Sequence, residues 1–410
     1  MRILVISQYF WPENFRVNDL VKELVRREHE VTVLTGVPNY PEGKVFEVYR
    51  DEPHAFTQYQ GAQVVRVPML SRGKGGLRLT LNYLSFVLSA SIVGLWRLRR
   101  INADVIFVYE PSPITVGLPA VWIGKFKKVP VVFWALDLWP DTLAALGVVK
   151  SQMLLNWLGH MVRYIYDRCA WVLGQSRSFL ASIANHCSDR RKIHYFPSWA
   201  EDVLQDAPHS PAKEVPVLEQ GFTVLFTGNI GEAQDLNAVL AAAEKLEKFS
   251  AIRWVIVGDG RKFDWLKSEV SRRGLGDRVY LPGRFPVERM PSFYAHADAL
   301  LVSLKPDPVF SMTIPGKVQA YLQAGVPLIG MLDGEGAAVI QDANAGLTCP
   351  AGDSEGLANL VREMAAMTPQ ARTLMGLNGR RYASQEFDRA RLIDRLERLL
   401  QSAVDSARYA

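Results

Sequence analysis

The sequence predicts an α/β protein made of two doubly wound, Rossmann-like domains that face an interdomain cleft. Three observations predict it. The chain has 410 residues, more than a single hydrophobic core ordinarily serves. Continuous apolar runs alternate with segments of helical periodicity, as expected for parallel strands buried on both faces. The alternation breaks off near residue 200 and restarts after 220.

In the first half, residues 3–7 read as a buried strand. Val17, Leu20, Val21, Leu24 and Val25 follow with helical spacing, and 31–35 is a second strand. Residues 105–109 and 129–134 are further apolar strands, and 172–174 is a weaker one. The second half opens with a strand and turn at 222–228 and a helix at 236–246. Strands at 253–258, 279–283, 299–303 and 327–330 continue the series. Between the halves, Pro208, Pro211 and Pro216 stand among charged residues, which reads as a linker. The expected organisation is a first domain at 1–200, a linker at 201–221, a second domain at 222–385 and a terminal helix at 386–410. Leu392, Ile393, Leu396, Leu399 and Leu400 give that helix one apolar face.

Composition narrows the class. Apolar residues make up 49% and charged residues 22%, which suits a globular chain, and a net charge of +5 says little by itself. Cys169, Cys187 and Cys349 are widely spaced, so neither a zinc site nor a disulfide framework is expected, as suits a reducing cytoplasm. The apolar N-terminus lacks a small-residue cleavage site and reads as a strand rather than a signal peptide. No uninterrupted apolar stretch reaches the roughly 18–20 residues that span a bilayer.

In open parallel sheets, ligands bind beyond the carboxyl ends of the strands, where helix N-termini attract anions. Four loops fit that place. Thr227-Gly228-Asn229-Ile230-Gly231 lets the main chain approach a pyrophosphate, although a tight strand-to-helix turn accounts for it equally simply. Gly258-Asp259-Gly260-Arg261 starts like a dinucleotide fingerprint but has Phe263 where the third glycine belongs, which weakens any NAD reading. Pro315-Gly316-Lys317 opens a helix. A lysine there opposes the macrodipole, which makes sense if an anion sits beside it, and a solvent-facing lysine is the plainer alternative. Gly334-Glu335-Gly336-Ala337 opens another helix, where amides could hold a phosphate or Glu335 accept sugar or ribose hydroxyls. Arg284 would add positive charge after the strand at 279–282. DxD, GxxxxGK[ST], HExxH and GxSxG motifs are all missing. Their absence removes support for a metal-binding aspartate pair and for ATPase, zincin and hydrolase readings.

Residues 61–103 contain no Asp or Glu but carry Arg66, Arg72, Lys74, Arg78, Arg97, Arg99 and Arg100, with an apolar run between the basic clusters. A helix at 79–100 of this kind suits an anionic membrane surface, and Lys125, Lys127 and Lys128 would extend it. A core helix with a solvated basic edge is the other reading. No nucleic-acid-binding motif is present, so nucleic acid is not an expected partner.

The restarting halves, Gly228-x-x-Gly231, Gly258-Asp-Gly260, Pro315-Gly-Lys317, Gly325-Val-Pro327 and the 346–353 segment together resemble the family 4 glycosyltransferases. The resemblance covers nearly the whole chain and implies the GT-B fold and metal-independent transfer with retention. The 313–322 stretch, Gly334-Glu-Gly-Ala, Tyr9-Phe-Trp-Pro-Glu13 and Asp137-Leu-Trp-Pro-Asp141 resemble more narrowly the WbuB-like branch, associated with N-acetylated amino-sugar transfer in O-antigen and capsule assembly. The chain departs from the family where an Arg and a Lys usually clamp the diphosphate: Asn229 and Gln234 stand there. Met312 and Ala320 occupy the places of two glutamates, and Leu136 that of a histidine. The resemblance implies a UDP-sugar donor held by the glycine loops, Lys317 and Glu335, a polyprenyl-pyrophosphate-linked sugar acceptor, and work on the cytoplasmic face of the inner membrane. Apart from the resemblance, Arg284 or Arg261 is expected to join Lys317 in supplying the missing diphosphate charge, and Asp137, Glu13 and Glu110 are expected to orient the acceptor rather than serve as obligatory bases. A UDP-N-acetylhexosamine epimerase and a non-catalytic sugar-nucleotide-binding protein are the alternatives.

Overall fold

The computed structural model describes all residues except 74, 146, 200–209, 217–220, 250 and 409–410. Lys74 and most of the expected linker therefore lie outside the described residues. The chain forms two compact units, Met1–Phe196 with Leu392–Ala410, and Pro197–Arg391.

The first unit is built on an eight-stranded sheet. Its strands are β1 (Arg2–Ile6), β2 (Glu30–Gly36), β3 (Gln58–Tyr59), β4 (Ala62–Val67), β5 (Val105–Glu110), β6 (Val131–Ala135), β7 (Trp171–Gly174) and β8 (Ile193–Tyr195). They lie in the order β3-β4-β2-β1-β5-β6-β7-β8, parallel throughout except for the β3–β4 pair. The apolar runs are continuous because helices cover both faces: every residue of β5 and β6 is buried. The last helix, Arg389–Arg408, packs its apolar face on this unit, although it follows the second unit in sequence. Arg27 donates to Glu397 at 2.8 Å and also bonds Asp394, His29 pairs with Glu397, and Trp171 donates to Ser402.

One expectation for the 61–103 segment is corrected. Residues 62–67 form strand β4, and Arg66 on it is buried, not part of a basic surface. Its guanidinium donates to the carbonyls of Gly36 and Trp11, and burial pushes it down to about 10. The helix expected at 79–100 is present, shifted by three residues toward the N-terminus. The helix from Gly76 to Arg97, which contains a wide π turn at Ala90–Gly94, is 22 residues long and apolar enough by length and composition to cross a membrane. Two of its polar interruptions are bonded: Asn82 accepts from Gln8 and donates to the Leu70 carbonyl, and Ser85 donates to the Asn82 carbonyl, while Ser89 Oγ is buried with no partner among the described residues. Its inner side, at Asn82, Phe86, Ala90 and Gly94, is buried in the unit, as is Leu98 just past its end.

The second unit has a six-stranded, wholly parallel sheet. Its strands are β9 (Phe222–Thr227), β10 (Ile252–Val257), β11 (Val279–Gly283), β12 (Ala299–Ser303), β13 (Leu328–Met331) and β14 (Gly346–Cys349). The order β11-β10-β9-β12-β13-β14 reverses direction between β9 and β12, the switch point where such sheets bind ligands. Alternate residues feed two cores. Phe226, Trp254 and Leu301 pack on one face, and Leu225, Val255 and Leu300 on the other. The described part of the expected linker is tied down here: Ala212 and Val215 are buried in the second core, because two apolar side chains interrupt its prolines and charges. The three cysteines are free and buried.

Candidate active site

Strands β9 and β10 end side by side, Thr227 opposite Val257, so the loops that follow them leave the sheet together. They touch along their main chains. A Cβ on Gly258 would lie 1.8 Å from the Gly228 carbonyl oxygen, and Gly258 has φ +149°, so only glycine fits. Gly228 N–H donates to the Val257 carbonyl, Ile230 N–H to Asp259, and Gly231 N–H to the Gln234 side chain. Gln234 stands where the resemblance leads one to expect a lysine, and here it braces the loop. Most loop amides are thus spent within the loop. The Asn229 amide has no protein partner among the described residues.

Lys317 lies directly beneath this loop. A Cβ on Gly228, at φ +128°, would meet Lys317 Cε at 2.7 Å and Nζ at 3.3 Å. The ammonium sits 3.9 Å from the centre of the Phe226 ring. Among the described residues no carboxylate pairs with it, and burial pushes the amine down to about 7. A cation held against a ring, beside a main-chain loop and the N-terminus of helix Gly316–Ala324, lacks only an anion. The helix Glu335–Asp342 begins beside it, since a Cβ on Gly336 would meet Pro315 Cδ at 2.9 Å. The 228, 317 and 335 segments therefore converge. The first amides of both helices have no partner within their own helix.

Five of the expected residues, Gly228, Asn229, Gly258, Asp259 and Arg284, line one groove of about 1040 Å³. Phe285, Val287, Met290 and Tyr294 form its apolar wall. Gly231, Arg261, Pro315, Gly316, Glu335, Gly336 and Ala337 lie outside that wall, the last five joining the site through Lys317. Arg261 is exposed, while its neighbour Lys262 and Lys305 both pair with Glu232. Thr227, which opens the first expected loop, also lines the groove, its hydroxyl 3.1 Å from that of Tyr321; sequence reasoning missed Tyr294 and Phe285. Only Phe285 carried a signal, by following Arg284.

In the first unit, the candidate carboxylates stand at the carboxyl ends of the strands. Glu13 is turned inward, 2% exposed, and accepts from the amides of Phe10, Asn39 and Tyr40 at 3.1, 2.8 and 2.7 Å. Burial raises its carboxyl despite those bonds. It braces two loops. Asp137 is partly exposed; it accepts from its neighbour Leu138 N–H at 2.8 Å and from the Trp139 indole at 3.1 Å. Glu110 is wholly buried beneath it and accepts from the Leu136 and Asp137 amides at 3.3 Å. Its Oε1 has no hydrogen-bond partner among the described residues, and burial, then the Asp137 charge, push its carboxyl well up.

Known families match both units: "Glycosyl transferase 4-like domain" over residues 14–199 and "Glycosyl transferases group 1" over 221–367. WcaI of Escherichia coli (strain K12), named for glycosyl transfer in colanic acid biosynthesis, is 25% identical over 344 residues, 79% of this chain and 82% of its own. The N-acetyl-alpha-D-glucosaminyl L-malate synthase of Bacillus anthracis is 24% identical over 303 residues, covering 73% and 74%. Among solved structures, Anabaena HepE in complex with UDP superposes with a TM-score of 0.70 at 14% identity, over 98% of this chain and 100% of that one. The chain belongs to the family 4 glycosyltransferases, and its two parallel-sheet units are those of the GT-B fold.

Proposed function

We propose that the protein transfers an N-acetylated amino sugar, such as N-acetyl-L-fucosamine, from a UDP-sugar to a polyprenyl-pyrophosphate-linked acceptor in O-antigen, capsule or exopolysaccharide synthesis. The observation that carries the reading is the convergence of Lys317, the Gly228 loop and two helix N-termini at the switch point of the second sheet. In this reading the second unit binds the donor. The groove wall at Phe285, Val287 and Met290 takes the base, and Arg284 adds charge at its rim. The diphosphate lies on Lys317 and the Asn229 amide. Lys317 takes up a proton as the anion arrives, because pairing reverses the effect of burial. The charge that grows on the departing diphosphate is then met by donors already in place, without a metal ion.

The first unit handles the acceptor. Asp137 orients a hydroxyl, Glu110 holds the Asp137 loop, and Glu13 holds the loops around it. The departing phosphate oxygen takes the acceptor proton, and the new bond keeps the anomeric configuration. Support for a UDP donor comes from the UDP complex of HepE, and support for an envelope glycan from the name of WcaI. A lipid-linked acceptor places the protein on the cytoplasmic face of the inner membrane.

The test is a panel of UDP-sugars incubated with a lipid-pyrophosphate-linked amino sugar and read by mass. One added N-acetylated aminosugar residue is the expected product. Sugar conversion with donor alone would indicate an epimerase, and donor binding without any product would indicate a binding protein.

A further inference from the structure

Three neighbouring helices of the first unit leave large apolar side chains in solvent. On the Gly76–Arg97 helix they are Leu77, Leu81, Leu84, Leu88, Ile92 and Trp96, a stripe opposite the buried side. The stripe runs through the π turn, and Trp96 at its end is 62% exposed. The helix Gly117–Lys127 packs beside it. Its Lys127 amine donates to the carbonyls of Leu98 and Ile101 at 2.8 and 2.7 Å, and Trp122 and Phe126, one turn apart, are 51% and 66% exposed. The helix Gln152–Arg168 packs against that one in turn and exposes Met153, Leu154 and Trp157. A core stripe looks the same in sequence, but here no described residue of the unit covers it. A contiguous apolar face of this size marks an interaction site.

Charge selects the partner. No Asp or Glu occurs in residues 61–103, 111–136 or 142–166, so all three exposed stripes lie in acid-free stretches. Basic groups border the aromatics: Arg99 lies 4.1 Å over the Trp96 ring, and Lys125 sits between Trp122 and Phe126. A two-fold dimer through this face would bring two acid-free, basic surfaces together with no carboxylate to offset them, which disfavours a second chain. Aromatic side chains flanked by cations suit the boundary between headgroups and acyl chains.

We propose that this three-helix face docks on a bilayer rich in anionic lipid and inserts Trp96, Trp122 and Phe126 below its headgroups. The proposal sharpens the membrane half of the reading above and is separable from the transfer chemistry. Its test uses the full chain with phosphatidylcholine vesicles made with and without phosphatidylglycerol, and no donor or acceptor. Flotation and quenching of tryptophan emission by brominated lipid are the readouts. Wild type is expected to float with the anionic vesicles, and added salt to weaken this. The W96S/W122S/F126S variant is expected to bind about tenfold or more weakly, and R99E/R100E/K125E to lose the preference for anionic lipid. These side chains are exposed, and far-UV circular dichroism with an unchanged urea-unfolding midpoint of the first unit reports that each variant is folded. Equal floating of wild type and the aromatic variant would overturn the proposal. So would a wild-type dimer in solution that the aromatic variant dissociates, which would assign the face to self-association. A chain that transfers sugar but ignores vesicles would sink this inference alone.

Discussion

The two units end their strands in opposite ways. In the second unit the loops after β9 and β10 are glycine-built and press main chain on main chain. Beside them stand the N-termini of two helices and a lysine with which no carboxylate pairs among the described residues. In the first unit the corresponding positions carry carboxylates that are already engaged: Glu13 serves three amides, and Glu110 two. Holding a diphosphate requires donors that the protein itself leaves unpaired. Aiming a hydroxyl requires a carboxylate fixed in place, which comes from saturating the groups around it. The sites differ less in residue type than in how much of their hydrogen bonding the fold has already used.

The largest expected break of this contrast is Lys317→Ala. Transfer is expected to fall on the order of 10²–10³-fold, measured as initial rate at saturating donor, with little change in thermal midpoint because no carboxylate pairs with the lysine among the described residues. Gly258→Ala attacks the loop contact itself. A methyl 1.8 Å from the Gly228 carbonyl oxygen forces the loops apart, so UDP binding by calorimetry should vanish. Stability should drop by about 1–3 kcal/mol, read by urea unfolding.

Glu13→Gln probes the other side. It puts an NH₂ where one oxygen accepts, at a cost of about 1–3 kcal/mol of stability, while UDP affinity stays at the wild-type level. A loss of UDP affinity in this variant would blur the division between the units. Glu110→Gln sharpens it through pH. Because burial raises the Glu110 carboxyl in the folded state, its favourable contribution is complete below its unfolded value near 4.5 and fades as pH rises through the folded value. Urea unfolding at stepped pH should therefore show Glu110→Gln gaining on wild type as pH rises. A constant difference would mean that Glu110 is ionised. The smallest effect is expected at the exposed Arg284: Arg284→Ala should raise the donor KM by roughly two- to fivefold and leave kcat unchanged.

Much of the architecture was legible in sequence because parallel strands buried on both faces leave unbroken apolar runs, as in β5, β6, β9 and β12. Strand β4 was hidden, since Gln63 and Arg66 interrupt it and the bonds that make a buried arginine tolerable come from Gly36 and Trp11, distant in sequence. The donor loops were legible because close main-chain approach admits only glycine. Their hydrogen bonding was not: nothing local shows that Gln234 braces Gly231 or that Tyr321 meets Thr227. Lys317 was singled out by its unfavourable place at a helix N-terminus, but its burial against Phe226 depends on strand register. The exposed stripe of the Gly76–Arg97 helix has the periodicity of a core helix, so only the fold reveals which side is covered.

Titration of UDP into wild type and Lys317→Met, by calorimetry from pH 6 to 9 in buffers of different ionisation enthalpy, tests the central claim most directly. With the free amine near 7, binding to wild type should take up a proton above that pH and weaken by up to about tenfold per unit. The methionine variant should bind weakly, with no proton uptake beyond that of the nucleotide. Equal affinity and equal proton uptake in the two proteins would contradict the assignment of the diphosphate to Lys317.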